Sequence, residues 1–276
     1  METPIKAAAA EEKAAVQGNF SLVSVEEEAM AAMLRDRNLA FTNTNSKEVH
    51  PKDTFYTRYG KRILDIMISL PAFLVLLPVN LVLGICTYFD VGRPIFYKQT
   101  RAGLNGKMFT MIKFRNMTND TDADGKLLPA AQRVTKFGKF VRKTSLDELL
   151  NFWNVLKGDM SIIGPRPVPV FYVERMSERH KMRNAVKPGL ECPRVIERGD
   201  ENISLYHWKF ENDMWYVENV SFKTDIMLMW LLVKMTLSVK KRSVNAGRAS
   251  YFVGYDDEGR ATSLTKAKER YNLELE

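Results

Sequence analysis

Between Asp65 and Asp90 the chain carries no charged residue, and Ile66 to Phe89 is almost wholly Ile, Leu, Val, Met and Phe. A helix of that length covers the roughly 30 Å hydrocarbon core of a bilayer. Pro71 and Pro78 lie inside the run. Pro78, at its middle, removes a backbone hydrogen bond and presses on the preceding turn, which predicts a helix broken there. Both flanks are basic, with Lys52, Arg58, Lys61 and Arg62 before the run and Arg93, Lys98, Arg101 and Lys107 after it. A single span is basic mainly on one side, whereas a helix that enters, breaks and returns leaves both flanks in the cytoplasm. The residues alone leave a kinked single pass and a re-entrant helix equally open. Asp65 follows Lys61 by four residues and Arg62 by three, a spacing at which charges pair along a helix surface.

Shorter patterns follow. Pro94 to Tyr97 reads as a strand, Arg101 to Gly106 as a turn, and Met108 to Phe114 as a second strand. Arg133 to Arg142 reads as a basic helix, one face of which suits anionic headgroups. Leu146, Leu149, Leu150, Trp153 and Leu156 recur at helical spacing, and Ser145 to Glu148 forms an S-x-x-E capping box in front of them. Lys157 and Gly158 close that helix. Val168 to Met182 reads as a helix, Lys187 to Leu190 as a turn, and Ile203 to Val220 is rich in aromatic residues. Asp225 to Arg242 is apolar on most sides but interrupted by Lys234 and closed by Lys240, Lys241 and Arg242. Its uninterrupted core is too short to span, so an interfacial helix is expected.

The ends differ in composition. Residues 1–50 begin rich in alanine and glutamate, then carry a second box, Ser24 to Glu27, before a helix reaching about Arg37. A solvated tail and a partner-binding helix are the two readings of this stretch. It lacks the basic, apolar and small-residue order of a signal peptide. Residues after Val244 are polar. The organisation expected is thus an N-terminal extension (1–50), a membrane helix region (51–90), a central region with interfacial helices (91–243) and a tail (244–276).

Composition narrows the function. The 276 residues are 45% hydrophobic and 11% aromatic, enough for a real core, and 41 basic against 33 acidic residues give +8. That charge suits nucleic acid, an anionic membrane or phosphorylated substrates. The chain shows no zinc-finger spacing or basic-aromatic repeat, so nucleic acid is not an expected partner. Two cysteines and three scattered histidines make neither a disulfide framework nor a metal cluster. Asp120, Asp122 and Asp124 alternate as in a calcium loop, but no glutamate follows where one is required.

The chemistry concentrates between Arg142 and Pro167. Asp147 and Glu148 are adjacent in what reads as a first helical turn, where free amides and the helix dipole favour an ionised carboxylate or a phosphate. A capping box that merely starts a helix explains the same residues. Farther on, Gly164-Pro165-Arg166-Pro167 holds one arginine between two prolines, so its guanidinium loses little entropy on docking a phosphate.

The stretch LDELLNFWNVLKGDMSIIGPRP resembles the signature of the bacterial sugar transferases called monotopic phosphoglycosyl transferases, and the likeness runs from about Arg58 to Ser243. It implies an α+β, mostly helical monotopic membrane protein with a re-entrant helix, a short strand pair and interfacial amphipathic helices. It implies transfer of a sugar phosphate from a UDP-sugar to undecaprenyl phosphate with release of UMP. Asp147 would be the nucleophile and would hold Mg²⁺, with Glu148 assisting. Lys113, Arg115, Arg101 and Arg166 would face the phosphates, while Arg62, Asp65 and Pro78 would anchor the membrane helix. The expected setting is the cytoplasmic face of a bacterial inner membrane, with a second copy or downstream glycosyltransferases as further partners. Two departures stand out: Ala102 replaces a usual proline, and Glu191 to Arg198 replaces a Thr-Gly-Trp-Ala-Gln type sequence. The second leaves a non-catalytic scaffold, and a transferase of the sugar alone, as alternatives.

Overall fold

The computed structural model describes residues 24–125, 127–237 and 251–271. Ser24 starts the first helix, α1 (Val25–Leu34), by accepting from the Glu27 N–H, as its box predicts. A π-turn and α2 (Ala40–Asn45) follow, and then α3 (Lys61–Val91). α3 is unbroken. It runs through both Pro71 and Pro78, so Pro78 does not end the helix. A proline removes one bond of the ladder, and the turns on either side keep theirs.

β1 (Phe96–Ala102) and β2 (Met108–Phe114) pair antiparallel, with Phe96 opposite Phe114 and Ala102 opposite Met108. The first strand therefore extends over Arg101, where a turn was expected. The reversal is confined to Gly103 to Lys107, where Asn105 (φ 52°) and Gly106 (φ 76°) take the left-handed conformations that a tight turn needs. After α4 (Ala130–Arg133), Thr135 caps α5 (Lys136–Thr144) by accepting from the Gly138 N–H at 2.7 Å. The basic helix thus starts later than predicted. Gly138 lets it approach β2: a Cβ there would lie 2.1 Å from the Asn116 carbonyl oxygen.

Ser145 does not cap the next helix. It ends α5 in the left-handed region (φ 58°), its N–H bonded back to Arg142, and Leu146–Glu148 form a separate 3₁₀ turn before α6 (Asn151–Lys157). The capping box is overturned because an N-cap needs extended backbone and Ser145 serves the preceding helix instead. β3 (Ser161–Ile163) was not predicted. Two short helices, α7 (Val170–Glu174) and α8 (Glu178–Lys181), replace the single one expected over 168–182, since Ser177 turns extended and caps the second. β4 (Gly189–Glu191), in the expected turn, pairs parallel with β3. Gly164 and Gly189 permit this contact, because a Cβ on Gly189 would lie 2.1 Å from the Gly164 nitrogen.

α9 (Leu205–Asn219) and α10 (Phe222–Leu237) match the two C-terminal apolar segments. Lys240 to Arg242, the expected basic close of α10, lie outside the described residues. β5 (Phe252–Tyr255), β6 (Ala261–Ser263) and α11 (Leu264–Tyr271) follow. They do not form a tail. Met30, Ala31 and Leu34 of α1 bury against Val253 and Ala267, so the described parts of the two termini share one core. Arg175 joins that core to the body, donating to Glu27, Glu28 and the Phe252 carbonyl. The solvated-tail reading of residues 1–50 and the tail expected over 244–276 are corrected accordingly for their described parts. Each end supplies the apolar face that the other lacks.

Candidate active site

β2 and α5 converge on the 3₁₀ turn that carries Asp147 and Glu148. Lys113, on β2, donates to Glu148 Oε1 at 2.5 Å, and Arg166 Nη2 donates to the same oxygen. Arg166 Nη1 reaches Glu191 Oε2 at 3.1 Å. One residue along, Asp147 is 6% exposed and accepts from Asn116 Nδ2 at 3.1 Å. Asn116 in turn accepts from Arg142 Nε at 2.9 Å. Five of the side chains that matter here come from segments far apart in sequence, and the strand pairs and the short turn bring them together.

The two carboxyls are driven apart electrostatically. Burial pushes Asp147 up, against the pull of Lys113 and Arg142. Burial works on Glu148 too, but Arg166 and Lys113 outweigh it and hold that carboxyl below its usual range. Lys113 is pushed down, chiefly by burial, with Glu148 opposing. Neighbouring acids whose pKa values diverge suit division of labour: one stays a fixed anion while the other is a desolvated, more basic one.

Arg166 is itself held in place. Arg183, 2% exposed, donates to the Arg166 carbonyl at 2.8 Å and to Asp213 at 2.8 and 3.1 Å. The rigid Pro165-Arg166-Pro167 loop therefore rests on a buried ion pair between the 3₁₀ turn after α8 and helix α9. Arg101 reaches the same loop, its Nη1 lying 3.5 Å from the Pro167 carbonyl. Arg115 is placed differently: its guanidinium donates to the Val91 carbonyl at the end of α3 and touches neither carboxyl of the dyad.

Of the residues expected to anchor α3, Arg62 and Asp65 bond to the body, as does Lys61 beside them. Lys61 pairs with Asp225 at 2.7 Å and donates to the Ile163 carbonyl. Arg62 donates to the carbonyls of Val155 and Leu156. Asp65 accepts from Ser161 Oγ and from the Ile162 N–H at 2.8 and 2.9 Å. The pairing expected along the helix is replaced by these bonds, because residues 61–65 face β3 and α6. Pro78 lies away from these bonds, between the exposed Leu77 and Val79. At the other end of α3, Asp90 accepts from Thr135 at 2.6 Å, and Leu83 packs on Phe114 and Val141.

Asn116, Arg183 and Asp213 escaped the sequence reading, and Arg142 was read only as part of a basic helix. Asn116 sits just past a strand, where polar residues are common, so nothing marked it. Arg183 falls between the segments that were read, and Asp213 lies in one read for its aromatic residues.

Comparison with known proteins places residues 56–239 within the family model described as bacterial sugar transferase. The chain is 43% identical over 168 residues to the uncharacterized sugar transferase EpsL of Bacillus subtilis, covering 60% of this chain and 82% of that one. It is 35% identical over 182 residues to the UDP-glucose:undecaprenyl-phosphate glucose-1-phosphate transferase of Klebsiella pneumoniae, covering 63% of this chain and 39% of that one. The protein of the same name in Escherichia coli strain K12 is 36% identical over 185 residues, 64% of this chain and 40% of that one. The chain thus spans most of the first relative and about two fifths of each of the others.

Proposed function

The chain belongs to the bacterial sugar transferase family, and on that premise we propose that it transfers a sugar phosphate from a UDP-sugar to undecaprenyl phosphate, releasing UMP. The observation that carries this reading is the dyad: a buried Asp147 beside a Glu148 held by Lys113 and Arg166. Asp147 is the nucleophile. With Oδ2 held by Asn116, its other oxygen attacks the β-phosphorus, an O–P bond forms to the protein and the bond to the UMP oxygen breaks. An oxygen of the lipid phosphate then attacks the same phosphorus and frees the carboxylate. Glu148 remains ionised and fixes Lys113 and Arg166, whose charges offset the repulsion between carboxylate and diphosphate.

The residues present fit a Mg²⁺ that arrives with the donor. Among the described residues no three His, Cys, Asp or Glu side chains gather as a metal cage. Mg²⁺ commonly takes only one or two carboxylates and completes its shell with water and substrate phosphate oxygens. Asp147 is the side chain that would hold it, and when bound it supplies further neutralisation of phosphate charge.

The same reading covers the membrane. A spanning α3 of 31 residues would set its ends roughly 46 Å apart, on opposite sides of a bilayer. Yet both ends bond to one body, Asp65 to Ser161 and Asp90 to Thr135, while Leu74, Val75 and Leu81 between them stay exposed. We take α3 to bend at its prolines without losing its helical ladder, so that it dips into the bilayer and returns, with α10 lying in the interface through its exposed Ile226, Trp230 and Val233. The catalytic body then faces the cytoplasm at the inner membrane, where a soluble donor and a lipid acceptor meet.

Wild-type protein given a donor and Mg²⁺ without lipid should gain a sugar phosphate on the peptide bearing Asp147, seen by mass spectrometry. Asp147→Asn should not gain it, and should lose several orders of magnitude in UMP release while its thermal melt is retained. An Asp147→Asn protein turning over near the wild-type rate overturns the mechanism. Release of UDP would mean transfer of the sugar alone, and no product from any donor would mean a scaffold.

A further inference from the structure

Before any donor arrives, Arg166 is shared between two carboxylates. Lys113 and Arg166 face Glu148, and Arg166 faces Glu191 as well. Glu148 has a task in that arrangement, since it positions both cations. Glu191 has no such need to meet. Its carboxylate shares Arg166 Nη1 with the Leu190 carbonyl, at 3.1 and 3.5 Å, on the arginine proposed to dock phosphate. A carboxylate there weakens the hold on a diphosphate.

Its position is built in. Glu191 is paired with Ile163 across the parallel β3–β4 ladder, and its carbonyl accepts from the Gly164 N–H at 3.2 Å. The backbone bearing it therefore cannot drift from the loop bearing Arg166. One carboxylate oxygen accepts from Arg166 and the other from the Cys192 N–H at 3.1 Å. Each oxygen has two acceptor positions, so about two are left over. The side chain is 36% exposed, which leaves those positions open beside the phosphate-docking arginine.

An anion so placed is repelled by phosphate and by any other negative group. It binds well to hydroxyls, which donate short, charge-assisted hydrogen bonds. On the reading given under Proposed function, the part of the donor next to the reacting phosphate that carries hydroxyls is the sugar. We infer that Glu191 is a specificity-determining residue that accepts hydrogen bonds from the hydroxyls of a neutral donor sugar and rejects sugars carrying a carboxylate. The orientation of the guanidinium serves this discrimination as well, because Arg166 ties the sugar-reading carboxylate to the phosphate-docking edge.

The test uses the full chain with undecaprenyl phosphate, reading UMP release from a panel of neutral UDP-hexoses and from UDP-glucuronate. The wild type should strongly prefer its best neutral donor. Glu191→Gln should narrow that preference at least tenfold, losing kcat/KM on the neutral donor and gaining it on the glucuronate. Glu191→Asp, which keeps the charge, should retain the preference. Should Glu191→Gln melt early, Glu191→Ser carries the same comparison. If the substitution changes both donors by one factor, Glu191 acts through Arg166 or on the nucleotide common to both, and the inference is overturned. An unchanged ratio overturns it equally. A wild type that releases UMP from no donor at all would instead strike at the underlying function, and the two failures are thus distinct.

Discussion

Asn116 donates from Nδ2 to Asp147 Oδ2 across 3.1 Å, tying the residue just past β2 to the turn that holds the dyad. Arg142 fixes the other end of the amide at 2.9 Å, so the aspartate is oriented by a two-step relay. A hydrogen bond to a charged group contributes about 1.5–3 kcal/mol. Asn116→Ala should therefore lower kcat by roughly 10–100-fold with a smaller change in donor KM. Equal kcat in steady-state assays would show that Asp147 is oriented without it.

Acid should stop the enzyme before it unfolds it. A carboxyl with a depressed folded pKa stabilises the fold above its unfolded value, about 4.3 for Glu, and that contribution is lost only as pH falls through the folded value. Glu148 is such a group. Asp147 is raised by burial, so its ionised form is lost at a pH above the usual Asp value of about 3.9. Rate against pH and thermal melt against pH, measured on one preparation, should show the acid limb of activity lying above the acid loss of stability. Coincident curves would contradict the assignment.

The ion pair under the Arg166 loop is almost fully dry, with Arg183 and Asp213 side chains 1% and 2% exposed. Removing one partner strands a buried charge, at a cost of about 3–5 kcal/mol. Asp213→Ala should lower the melting temperature accordingly and impair donor binding through loss of the Arg183 bond to the Arg166 backbone. Asp213→Glu, keeping the charge, should restore part of both. A melt within experimental error of the wild type would rule out this support.

Topology can be read chemically. In chains with Cys86 and Cys192 changed to serine, Arg58→Cys and Lys98→Cys should both resist a membrane-impermeant thiol reagent in intact cells. Both should label after lysis. Labelling of one site alone in intact cells would make α3 a single span.

The sequence made visible what depends on short-range pattern. Met108 to Phe114 is a short, mostly apolar run beside a turn, and it is a strand with those bounds. The long apolar run is a helix, and the aromatic spacing of residues 203–220 is a helix too. Lys113, Glu148 and Arg166 were each singled out, and they meet in one cluster. The failures came where remote partners decide. Ser145 and Glu148 satisfy a local rule for starting a helix, but the left-handed turn that ends α5 claims Ser145 first. β3 and β4 are three residues each and owe their pairing to two glycines that allow backbones to touch. The ends looked polar because each was read without the surface it covers.

That last arrangement bears on how the molecule is made. Asn38 donates to the Tyr255 carbonyl across 217 residues of chain. At roughly 5–20 residues per second the ribosome needs on the order of 10–40 s to travel that distance. During that interval α1 is outside the tunnel with Met30 and Leu34 uncovered, although the whole of α3 has been made. The terminal clasp therefore closes last, and a nascent chain halted before residue 251 would present sticky surface to chaperones and proteases.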